Sequence, residues 1–469
     1  MTIHFIGICG TAMATLAALL KQRGHDVRGS DQGIYPPMDA FLENEGILVR
    51  LGYKPEHITP DLSLVVVGNA ISRGNPELEE VLDRKIRYCS LPEALREHFL
   101  WGARSIVVAG THGKTTTTAL VGWLLASGGL DPTVFVGGVA RNFGDGGSSY
   151  RLGRGREFVL EGDEYDSAFY DKTAKFLKYL PDIAIVNNIE FDHADIYADL
   201  DAVRLAFRRL VRLVPRNGLL LVGADSPDAQ ALAQEAVSPV EAVGLGEHAD
   251  WRAYDVEVAD GWSRFKVAHR HEFVGAFELP LLGLHNVRNA AAAIAVGATL
   301  GLGATTLAEG LRSFRGVRRR LEVVDRVNGV SVYDDFAHHP TAVAETLAAV
   351  RAGHPGRRIW ALFEPRSASS CRRVFQDVFA EAFAGADRAI VASVFRSSLP
   401  EEERLSVERL VGDLEHRGIW ARHVPETDRI VETVVAQAEP GDVIVVMSNG
   451  AFDGMPQRLT AALRQAPSP

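Results

Sequence analysis

The sequence predicts an α/β protein made of three successive units. Short apolar runs typical of buried strands alternate with helical stretches along the whole chain. Several of these runs end in a glycine-rich or polar turn before the next helix, which is the usual place for sites in parallel sheets. The 469 residues are about enough for three domains. We place the units at residues 1–100, 101–318 and 319–469.

The composition is that of an ordinary globular protein, with 46% hydrophobic and 23% charged residues. The net charge of −10 argues against nucleic acid or an anionic membrane surface as a general partner. Cys9, Cys89 and Cys371 are far apart, so we expect neither a disulfide framework nor a cysteine metal cluster. The N-terminus lacks the basic start of a signal peptide, and the apolar run at 290–303 is too short to span a bilayer. We therefore expect a cytoplasmic protein.

The first unit begins like a nucleotide-binding β-α-β element. A strand at 3–6, a turn and helix start at 7–12 (GICGTA), and a second strand ending at Asp31 follow in the Rossmann-like order. The G-x-G-x-x-G fingerprint is not met, because cysteine and alanine replace its second and third glycines. A nicotinamide cofactor is therefore disfavoured. A different diphosphate at the helix N-terminus and a plain strand-to-helix turn both stay open.

The second unit opens with a phosphate-loop pattern, so we expect a sheet like that of P-loop ATPases, mostly parallel. A strand at 106–109 leads into GTHGKTT at 110–116 and then into an apolar helix. Gly110 and Gly113 allow the backbone to curl round a phosphate, Lys114 supplies a charge, and Thr115 offers a hydroxyl to Mg²⁺. The loop has two residues between its glycines where the usual motif has four, and a tight turn with an exposed lysine is the alternative.

Polar residues follow two further strands of the second unit. EGDEYDS at 161–167 comes after a strand at 157–160, and NNIEFDH at 187–193 follows one at 183–186. Carboxylates at the end of a strand suit Mg²⁺, although a solvated acidic turn is the alternative. His193 would contact a metal or phosphate, or be structural. Later, 256–267 and 272–279 alternate like strands, and HNVRN at 285–289 opens an alanine-rich helix. Asn286 could cap this helix, or it could equally point at a base or phosphate.

The third unit also reads as Rossmann-like. Strands at 322–327 and 330–333 are joined by the hairpin turn Asn328-Gly329, and DDFAHHP at 334–340 follows as a loop. Helices then alternate with strands at 359–363, 389–392 and 443–447. The last strand leads into SNGA at 448–451, which is a second candidate for binding an anion.

Taken in order, these segments resemble the Mur ligases, ATP-dependent enzymes that form amide bonds in bacterial cell-wall precursors. The match runs from the phosphate loop through the two polar segments to Arg320 before Leu-Glu and the Asp335–His338 loop. The resemblance implies that ATP is bound by Gly110, Thr111, His112, Gly113, Lys114, Thr115, Thr116, Asn286, Asn289, Arg320, Asp335 and His338. It implies catalysis by Lys114, Glu161 and His193, and two Mg²⁺ ions held by Thr115, Glu161 and His193.

Within the family, the chain is similar to the branch that acts on UDP-N-acetylmuramate. One activity of this branch adds L-alanine, and the other adds the murein tripeptide L-alanyl-γ-D-glutamyl-meso-diaminopimelate during peptidoglycan recycling. The stretches that resemble the second activity are 7–11, 35–38, 141–143, 164–166, 363–367 and 448–450. We therefore predict the tripeptide ligase, with the L-alanine ligase as the alternative and an ATPase without a ligase reaction as a more distant one.

The same resemblance assigns the remaining sites. The UDP-sugar would contact Gly7, Cys9, Gly10, Thr11, Ser30, Asp31, Ala70 and Ser72, and the peptide would contact Arg366, Ser367, Ser448, Asn449 and Gly450. The carboxylate would attack ATP to form an acyl phosphate, which the amine then attacks. No lysine lies between Lys178 and Lys266, so we expect no carbamylated lysine as a metal bridge. We expect a monomer or a weak homodimer.

Overall fold

The computed structural model describes residues 1–34, 38–395 and 399–466. These residues form three α/β units, each with its own main sheet, which confirms the predicted fold class. Among the described residues, no helix is both long and apolar enough to pass through a membrane.

The first sheet has five parallel strands in the order β3-β2-β1-β4-β5. The strands are β1 (Thr2–Ile6), β2 (Asp26–Asp31), β3 (Leu48–Leu51), β4 (Leu64–Val67) and β5 (Tyr88–Ser90). The helices are α1 (Thr11–Gln22), α2 (Met38–Asn44), α3 (Pro76–Asp83) and α4 (Leu91–Leu95). The strand order reverses at β1, so the turn after β1 lies at a switch point, where open α/β sheets place ligands.

The second sheet has ten strands in the order β17-β16-β15-β14-β13-β12-β6-β9-β7-β8. They are β6 (Arg104–Ala109), β7 (Thr133–Ala140), β8 (Ser148–Arg151), β9 (Glu157–Glu161), β12 (Ile183–Val186), β13 (Leu219–Gly223), β14 (Val240–Gly244), β15 (Trp251–Ala259), β16 (Trp262–His269) and β17 (Glu272–Leu279), with β10 (Asp166–Ala168) and β11 (Asp171–Ala174) forming a separate pair. The helices are α5 (Lys114–Ser127), α6 (Leu200–Val211), α7 (Pro227–Ala231), α8 (Leu284–Thr299) and α9 (Ala304–Arg312).

The register of the second sheet places the predicted polar segments together. Strand β6 pairs in parallel with both β12 and β9. The phosphate loop and the segments that follow β9 and β12 therefore leave the same sheet edge from three adjacent strands. Strands β15, β16 and β17 pair antiparallel at one end of the sheet.

The third sheet has the order β18-β19-β23-β20-β21-β22, in which β18 alone is antiparallel to its neighbour. Its strands are β18 (Glu322–Val327), β19 (Val330–Asp335), β20 (Ile359–Phe363), β21 (Arg388–Val391), β22 (Trp420–His423) and β23 (Val443–Met447). The helices are α10 (Pro340–Gly353), α11 (Gln376–Ala382), α12 (Val407–His416), α13 (Thr427–Gln437) and α14 (Met455–Gln465).

Three local predictions need correction. The stretch predicted as one strand at 256–267 is two antiparallel strands, β15 and β16, because a turn at Asp260 and Gly261 divides it. Helix α8 begins at Leu284 and has Gly283 as its N-cap, so Asn286 does not cap it. The side-chain amide of Asn286 donates instead to the Leu282 carbonyl at 2.8 Å. Strand β19 extends through both aspartates predicted to start a loop, because that stretch pairs with β23.

Candidate active site

The phosphate loop between β6 and α5 is shaped by two glycines. Gly110 and Gly113 have φ values of 126° and 81°, which side-chain-bearing residues rarely adopt. A Cβ on Gly113 would lie 2.5 Å from Asn289 Oδ1, and one on Gly110 would lie 3.0 Å from the Asn187 backbone nitrogen. The loop is therefore closed against neighbouring backbone and amide groups and fits only glycine at both places.

The segment after β12 supports the loop from one side. The Thr111 amide donates to the Asn188 carbonyl at 3.0 Å, and the His112 amide donates to Asn188 Oδ1 at 2.7 Å. The Thr111 hydroxyl accepts from the Glu190 amide at 2.9 Å. These two loop amides are thus engaged within the protein and are not free to bind a phosphate. The remaining ones lie at the start of α5, where the helix dipole favours an anion.

Lys114 is held by a carboxylate that the sequence prediction did not assign to the site. Its Nζ donates to the Gly110 and Thr111 carbonyls at 2.7 and 3.1 Å and lies 2.9 Å from Glu164 Oε1. Burial lowers the pKa of Lys114, but the combined attraction of Glu164, Glu161 and Asp163 outweighs burial and the net pKa is raised. Lys114 is therefore a cation that a buried anion keeps at the loop.

The same Glu164 oxygen also holds His193. His193 Nε2 lies 3.0 Å from Glu164 Oε1, and both side chains are largely buried. Burial lowers the pKa of His193, whereas the hydrogen bond and charge of Glu164 raise it, and the net pKa is raised. Glu164 Oε2 is buried without a hydrogen-bond partner among the described residues.

The predicted metal residues Thr115 and Glu161 are in contact with each other. The Thr115 hydroxyl donates to Glu161 Oε1 at 3.1 Å, and Glu161 Oε2 accepts from the Gly137 amide at 2.8 Å. Arg320 from the third unit reaches the Thr115 oxygen at 3.1 Å. Burial raises the pKa of Glu161, because Lys114 offsets only part of the cost of an isolated charge.

These residues fit a hard cation. Mg²⁺ prefers oxygen ligands, and the structure gathers a hydroxyl and two carboxylates at one edge of the sheet. One of these carboxylates, Glu164, has an unsatisfied buried oxygen, and the other, Glu161, has a raised pKa that a bound cation would lower again. Of the four carboxylates in the segment 161–167, two are paired with lysines: Asp163 with Lys175 at 2.7 Å and Asp166 with Lys172 at 3.0 Å.

The third unit brings its own loop to the site. Asp335 accepts from the Leu321 and Ala337 amides at 2.5 and 2.8 Å, so its carboxylate organises the segments around Arg320 and His338. The Arg320 guanidinium lies 4.7 Å from the ring centre of Phe336.

A cleft of about 350 Å³ joins these groups and takes residues from all three units. Of the predicted ATP, catalytic and metal residues, it is lined by Thr111, His112, Gly113, Lys114, Thr115, Thr116, Glu161, His193, Asn286, Asn289, Arg320, Asp335 and His338. The first unit contributes Thr11, and the third unit contributes Asn449 in addition to Arg320, Asp335 and His338. Gly110, the first residue of the loop, packs against Asn187 and Asn188 and does not line the cleft.

A second cavity, of about 230 Å³, lies on the other side of His193. Three predicted peptide residues, Arg366, Ser367 and Asn449, line it together with Asp192 and His193. Because His193 lines both spaces, a molecule in this cavity would sit next to one in the cleft.

The other two predicted peptide residues are engaged within the third unit. The buried Ser448 hydroxyl donates to Glu364 Oε2 at 2.5 Å, and the Gly450 amide donates to the Ser448 hydroxyl at 2.9 Å. Glu364 Oε1 also lies 3.4 Å from the Arg366 guanidinium, which stacks 3.7 Å from the ring centre of Phe395. Glu364, another residue that we did not predict, thus orients the Arg366 guanidinium.

Some of the predicted sugar-nucleotide residues of the first unit are engaged within the protein, and others are exposed. The Cys9 amide donates to Asp31 Oδ2 at 2.8 Å, so the acidic residue fixes the turn itself. The Ser30 side chain is fully buried and donates to Glu77 Oε2 at 2.6 Å, which engages it inside the domain. Ala70 and Ser72 are exposed beside the turn. A contact between any of these residues and a ligand stays a prediction, as it does for Gly7, Gly10 and Thr11.

Glu164 could have been found in the sequence, because it lies in the acidic segment after β9. What the sequence did not show is which of those carboxylates faces the loop. Tyr35–Pro37, part of one stretch on which the resemblance rests, lies outside the described residues.

Comparison with known proteins gives matches along almost the whole chain. Three family models match: the Mur ligase family catalytic domain at residues 2–100, the Mur ligase middle domain at 108–297, and the Mur ligase glutamate ligase domain at 319–450. A UDP-N-acetylmuramate–L-alanyl-γ-D-glutamyl-meso-2,6-diaminoheptandioate ligase from Haemophilus influenzae is 40% identical over 464 residues, which are 98% of this chain and 99% of that protein.

Two further proteins are similar. The crystal structure of a murein peptide ligase from Psychrobacter arcticus has 36% sequence identity and a TM-score of 0.72, and the match covers 99% of both chains. A UDP-N-acetylmuramate–L-alanine ligase from Salinibacter ruber is 37% identical over 451 residues, which are 96% of this chain and 92% of that protein. Together with the family models, these matches show that the chain belongs to the Mur ligase family of ATP-dependent, amide-forming ligases.

Proposed function

We propose that this chain joins UDP-N-acetylmuramate to L-alanyl-γ-D-glutamyl-meso-diaminopimelate in the cytoplasm, with ATP as the energy source. The observation that carries the proposal is the 230 Å³ cavity next to His193, which the Arg366 guanidinium lines. A peptide that reacts at its amino end and carries carboxylates farther along needs such a space and such a cation. The 40% identical relative from Haemophilus influenzae, a ligase named for this peptide, supports the same conclusion.

The reaction would proceed in two displacements. The lactyl carboxylate attacks the γ-phosphorus of ATP, so that an acyl phosphate forms and ADP leaves. The peptide amine then attacks the acyl carbon, inorganic phosphate leaves, and the amine gives up a proton. The two steps either bring like charges together or rely on a weak nucleophile. Positioning and charge neutralisation therefore supply most of the catalysis.

Lys114 would neutralise the transferring phosphoryl group. Its ammonium lies 2.9 Å from Glu164 Oε1 and would turn toward the phosphates when ATP binds. The N-terminus of α5 adds amide donors and the positive end of the helix dipole on the same side. Arg320, which reaches Thr115 from the third unit, would contribute a second positive charge near the β- and γ-phosphates.

Thr115 and Glu161 would hold one Mg²⁺, and Glu161 with His193 a second. Such ions, when bound, stabilise the negative charge that develops on the phosphate oxygens. His193 has to be neutral to act as a ligand, and Glu164, which raises its pKa, therefore sets how readily the proton is given up.

The reacting groups would be shielded by the meeting of the three units. Thr11 of the first unit and Asn449 of the third line the same cleft as the phosphate loop. The turn at 7–10 would hold the UDP diphosphate at the start of α1, with Asp31 fixing the turn. Exclusion of water from the closed cleft would protect the acyl phosphate from hydrolysis.

The test measures ADP release by the purified chain with Mg-ATP and UDP-N-acetylmuramate, with either the tripeptide or L-alanine as the amine. We expect turnover with the tripeptide only. Turnover with L-alanine alone would contradict the proposal and indicate the L-alanine ligase instead. ADP release that needs no amine would contradict a ligase reaction.

Arg366→Ala tests the peptide cavity. A charge-assisted hydrogen bond contributes about 1.5–3 kcal/mol, so we expect the KM for the tripeptide to rise about 10- to 100-fold. The KM for ATP should not change. Arg366→Lys is the matched control, since it keeps the charge and should recover part of the loss.

A further inference from the structure

Five residues line both the cleft at the phosphate loop and the 230 Å³ cavity beside it, and they form the boundary between the two spaces. They are Tyr165, Asp192, His193, His338 and Asn449. An amide-forming ligase needs such a boundary, because the amine has to reach an acyl phosphate that forms on the other side. Asp192 has no predicted role, and Asn449 is predicted only as a peptide contact.

The Asp192 carboxylate is held through one of its two oxygens. The buried Ser369 hydroxyl of the third unit donates to Asp192 Oδ1, and the His193 backbone amide donates to the same oxygen at 2.7 Å. The Asp192 side chain is 5% exposed. These two donors fix the carboxylate and leave Oδ2 without a hydrogen bond to any residue that the structure describes.

The two neighbouring imidazoles do not supply a donor to Asp192 Oδ2. His338 Nε2 and His193 Nε2 lie 3.7 and 4.0 Å from it, beyond hydrogen-bond distance. His338 Nδ1 is 3.0 Å from the Phe336 carbonyl, which only accepts, so Nδ1 carries the proton of the neutral ring and Nε2 a lone pair. His193 Nε2 makes its hydrogen bond to Glu164 Oε1 instead.

Asp192 also lacks the partner that a buried carboxylate usually has. Within the described part of the chain, no lysine or arginine nitrogen lies within 4.0 Å of its oxygens. A buried charge is normally paired with an opposite one, because it is costly to remove it from water alone. The boundary between the two spaces therefore has a place for a cation.

Asn449 adds a second acceptor to this boundary. Its side-chain oxygen Oδ1 is buried and has no hydrogen-bond partner among the described residues. Asn449 lies in the loop after β23 of the third unit, whereas Asp192 follows β12 of the second. An ammonium group has one positive charge and three N–H donors, so it matches a carboxylate and an amide oxygen that line the same boundary.

We propose that Asp192 and Asn449 bind the ammonium group of the amine substrate and so hold the reacting nitrogen between the cavity and the cleft. The nitrogen attacks the acyl carbon only after it has given up one proton, and its remaining N–H groups keep these acceptors. The peptide form of this inference rests on the proposed function. The site itself requires only that the amine arrives as a cation, which is true of the tripeptide and of L-alanine alike.

The test compares two ligands by calorimetry on the full-length chain, with UDP-N-acetylmuramate, Mg²⁺ and a non-hydrolysable ATP analogue present. One ligand is the tripeptide, and the other carries a propionyl group in place of alanyl and thus lacks only the amino group. Loss of a charge-assisted hydrogen bond should make the propionyl peptide bind about 10- to 100-fold more weakly. Asp192→Asn keeps the shape and removes the charge, so this ratio of affinities should become at least about fivefold smaller.

Two further variants decide the assignment. Asp195→Asn removes the charge of an exposed carboxylate that lines the cavity but not the boundary, and it should leave the ratio unchanged. Asn449→Ala removes the neutral acceptor and should lower the ratio about two- to tenfold. This variant decides the matter if Asp192→Asn, which carries the contact with Ser369, does not fold. An unchanged ratio in the folded variants of Asp192 and Asn449 would overturn the proposal.

Failure of this site can be told apart from failure of the proposed function. If the chain binds L-alanine in place of the tripeptide, the same comparison is made with L-alanine and propionate, and the same ratios are expected. A chain that binds neither amine in this complex would contradict both proposals.

Discussion

Replacement of Gly113 by alanine tests the packing that shapes the phosphate loop. Gly113 is the N-cap of α5, with a φ of 81°, and its Cβ would lie 2.5 Å from Asn289 Oδ1 and 3.0 Å from Asn187 Nδ2. Gly129 follows the end of the same helix with a φ of 86°, but its Cβ would meet no atom within 4 Å. The two glycines therefore share the backbone conformation and differ in their surroundings.

The expected magnitudes follow from this difference. Alanine in the left-handed region costs roughly 1–2 kcal/mol at either position. At Gly113 the two amide side chains must also move, and such overpacking costs about 1–3 kcal/mol. We therefore expect Gly113→Ala to lower the free energy of unfolding by about 2–5 kcal/mol and Gly129→Ala by about 1–2 kcal/mol. Because Asn289 lines the ATP cleft, Gly113→Ala should also weaken ATP binding at least about tenfold.

Urea unfolding can be followed by the fluorescence of Trp123, which lies within α5 and donates to the Gly310 carbonyl at 3.0 Å. ATP binding is measured separately by calorimetry on the folded variants. The reasoning fails if Gly113→Ala is no less stable than Gly129→Ala, or if both variants bind ATP equally well. Either result would mean that the amides do not pack against the loop as described.

Three other substitutions test charges. Glu164→Gln removes the anion beside Lys114, and we expect a loss of up to about 3 kcal/mol in urea unfolding because an unpaired buried charge remains. Burial raises the pKa of Asp334 from 3.8 to about 6, so its ionisation costs stability as the pH rises through that range; Asp334→Asn should stabilise the protein above it, by at most about 3 kcal/mol, and not below it. Burial alone would raise the pKa of Glu77, but the hydrogen bonds from His4 and Ser30 lower this pKa on balance. The Glu77 carboxylate therefore stabilises the fold above its usual pKa of 4.5, and stabilises it less as the pH falls. Glu77→Gln should reduce this loss of stability at acid pH, measured by unfolding at a series of pH values.

The sequence predicted best those elements whose residues are all apolar and buried. The strands Ile183–Val186, Ile359–Phe363 and Val443–Met447 have the predicted bounds, since an apolar run in a central strand ends where polar residues begin. The phosphate loop was predictable for a similar reason, because strand, glycines, lysine and helix follow one another without a gap. Local order in the sequence is enough for such features.

Features that depend on contacts between distant segments could not be predicted. Which of the carboxylates after β9 reaches Lys114 depends on two lysines, Lys172 and Lys175, that take up Asp166 and Asp163. Ser448 lies beside Glu364 because β20 and β23 pair in one register, and nothing in the sequence near Arg366 indicates that. The position of a charged side chain in this site can thus depend on a distant partner: Asp163 and Lys175 are 12 residues apart, and Lys114 and Glu164 are 50 apart.

The contact between Lys114 and Glu164 has a consequence for the order of events in the cleft. Lys114 and His193 share one buried oxygen of Glu164. In the proposed reaction, a triphosphate that attracts Lys114 would take one of these partners away, and the charge of Glu164 would then act more strongly on His193 or on a cation. The loop, the acidic segment and the histidine would therefore respond together to phosphate, because a single carboxylate joins them.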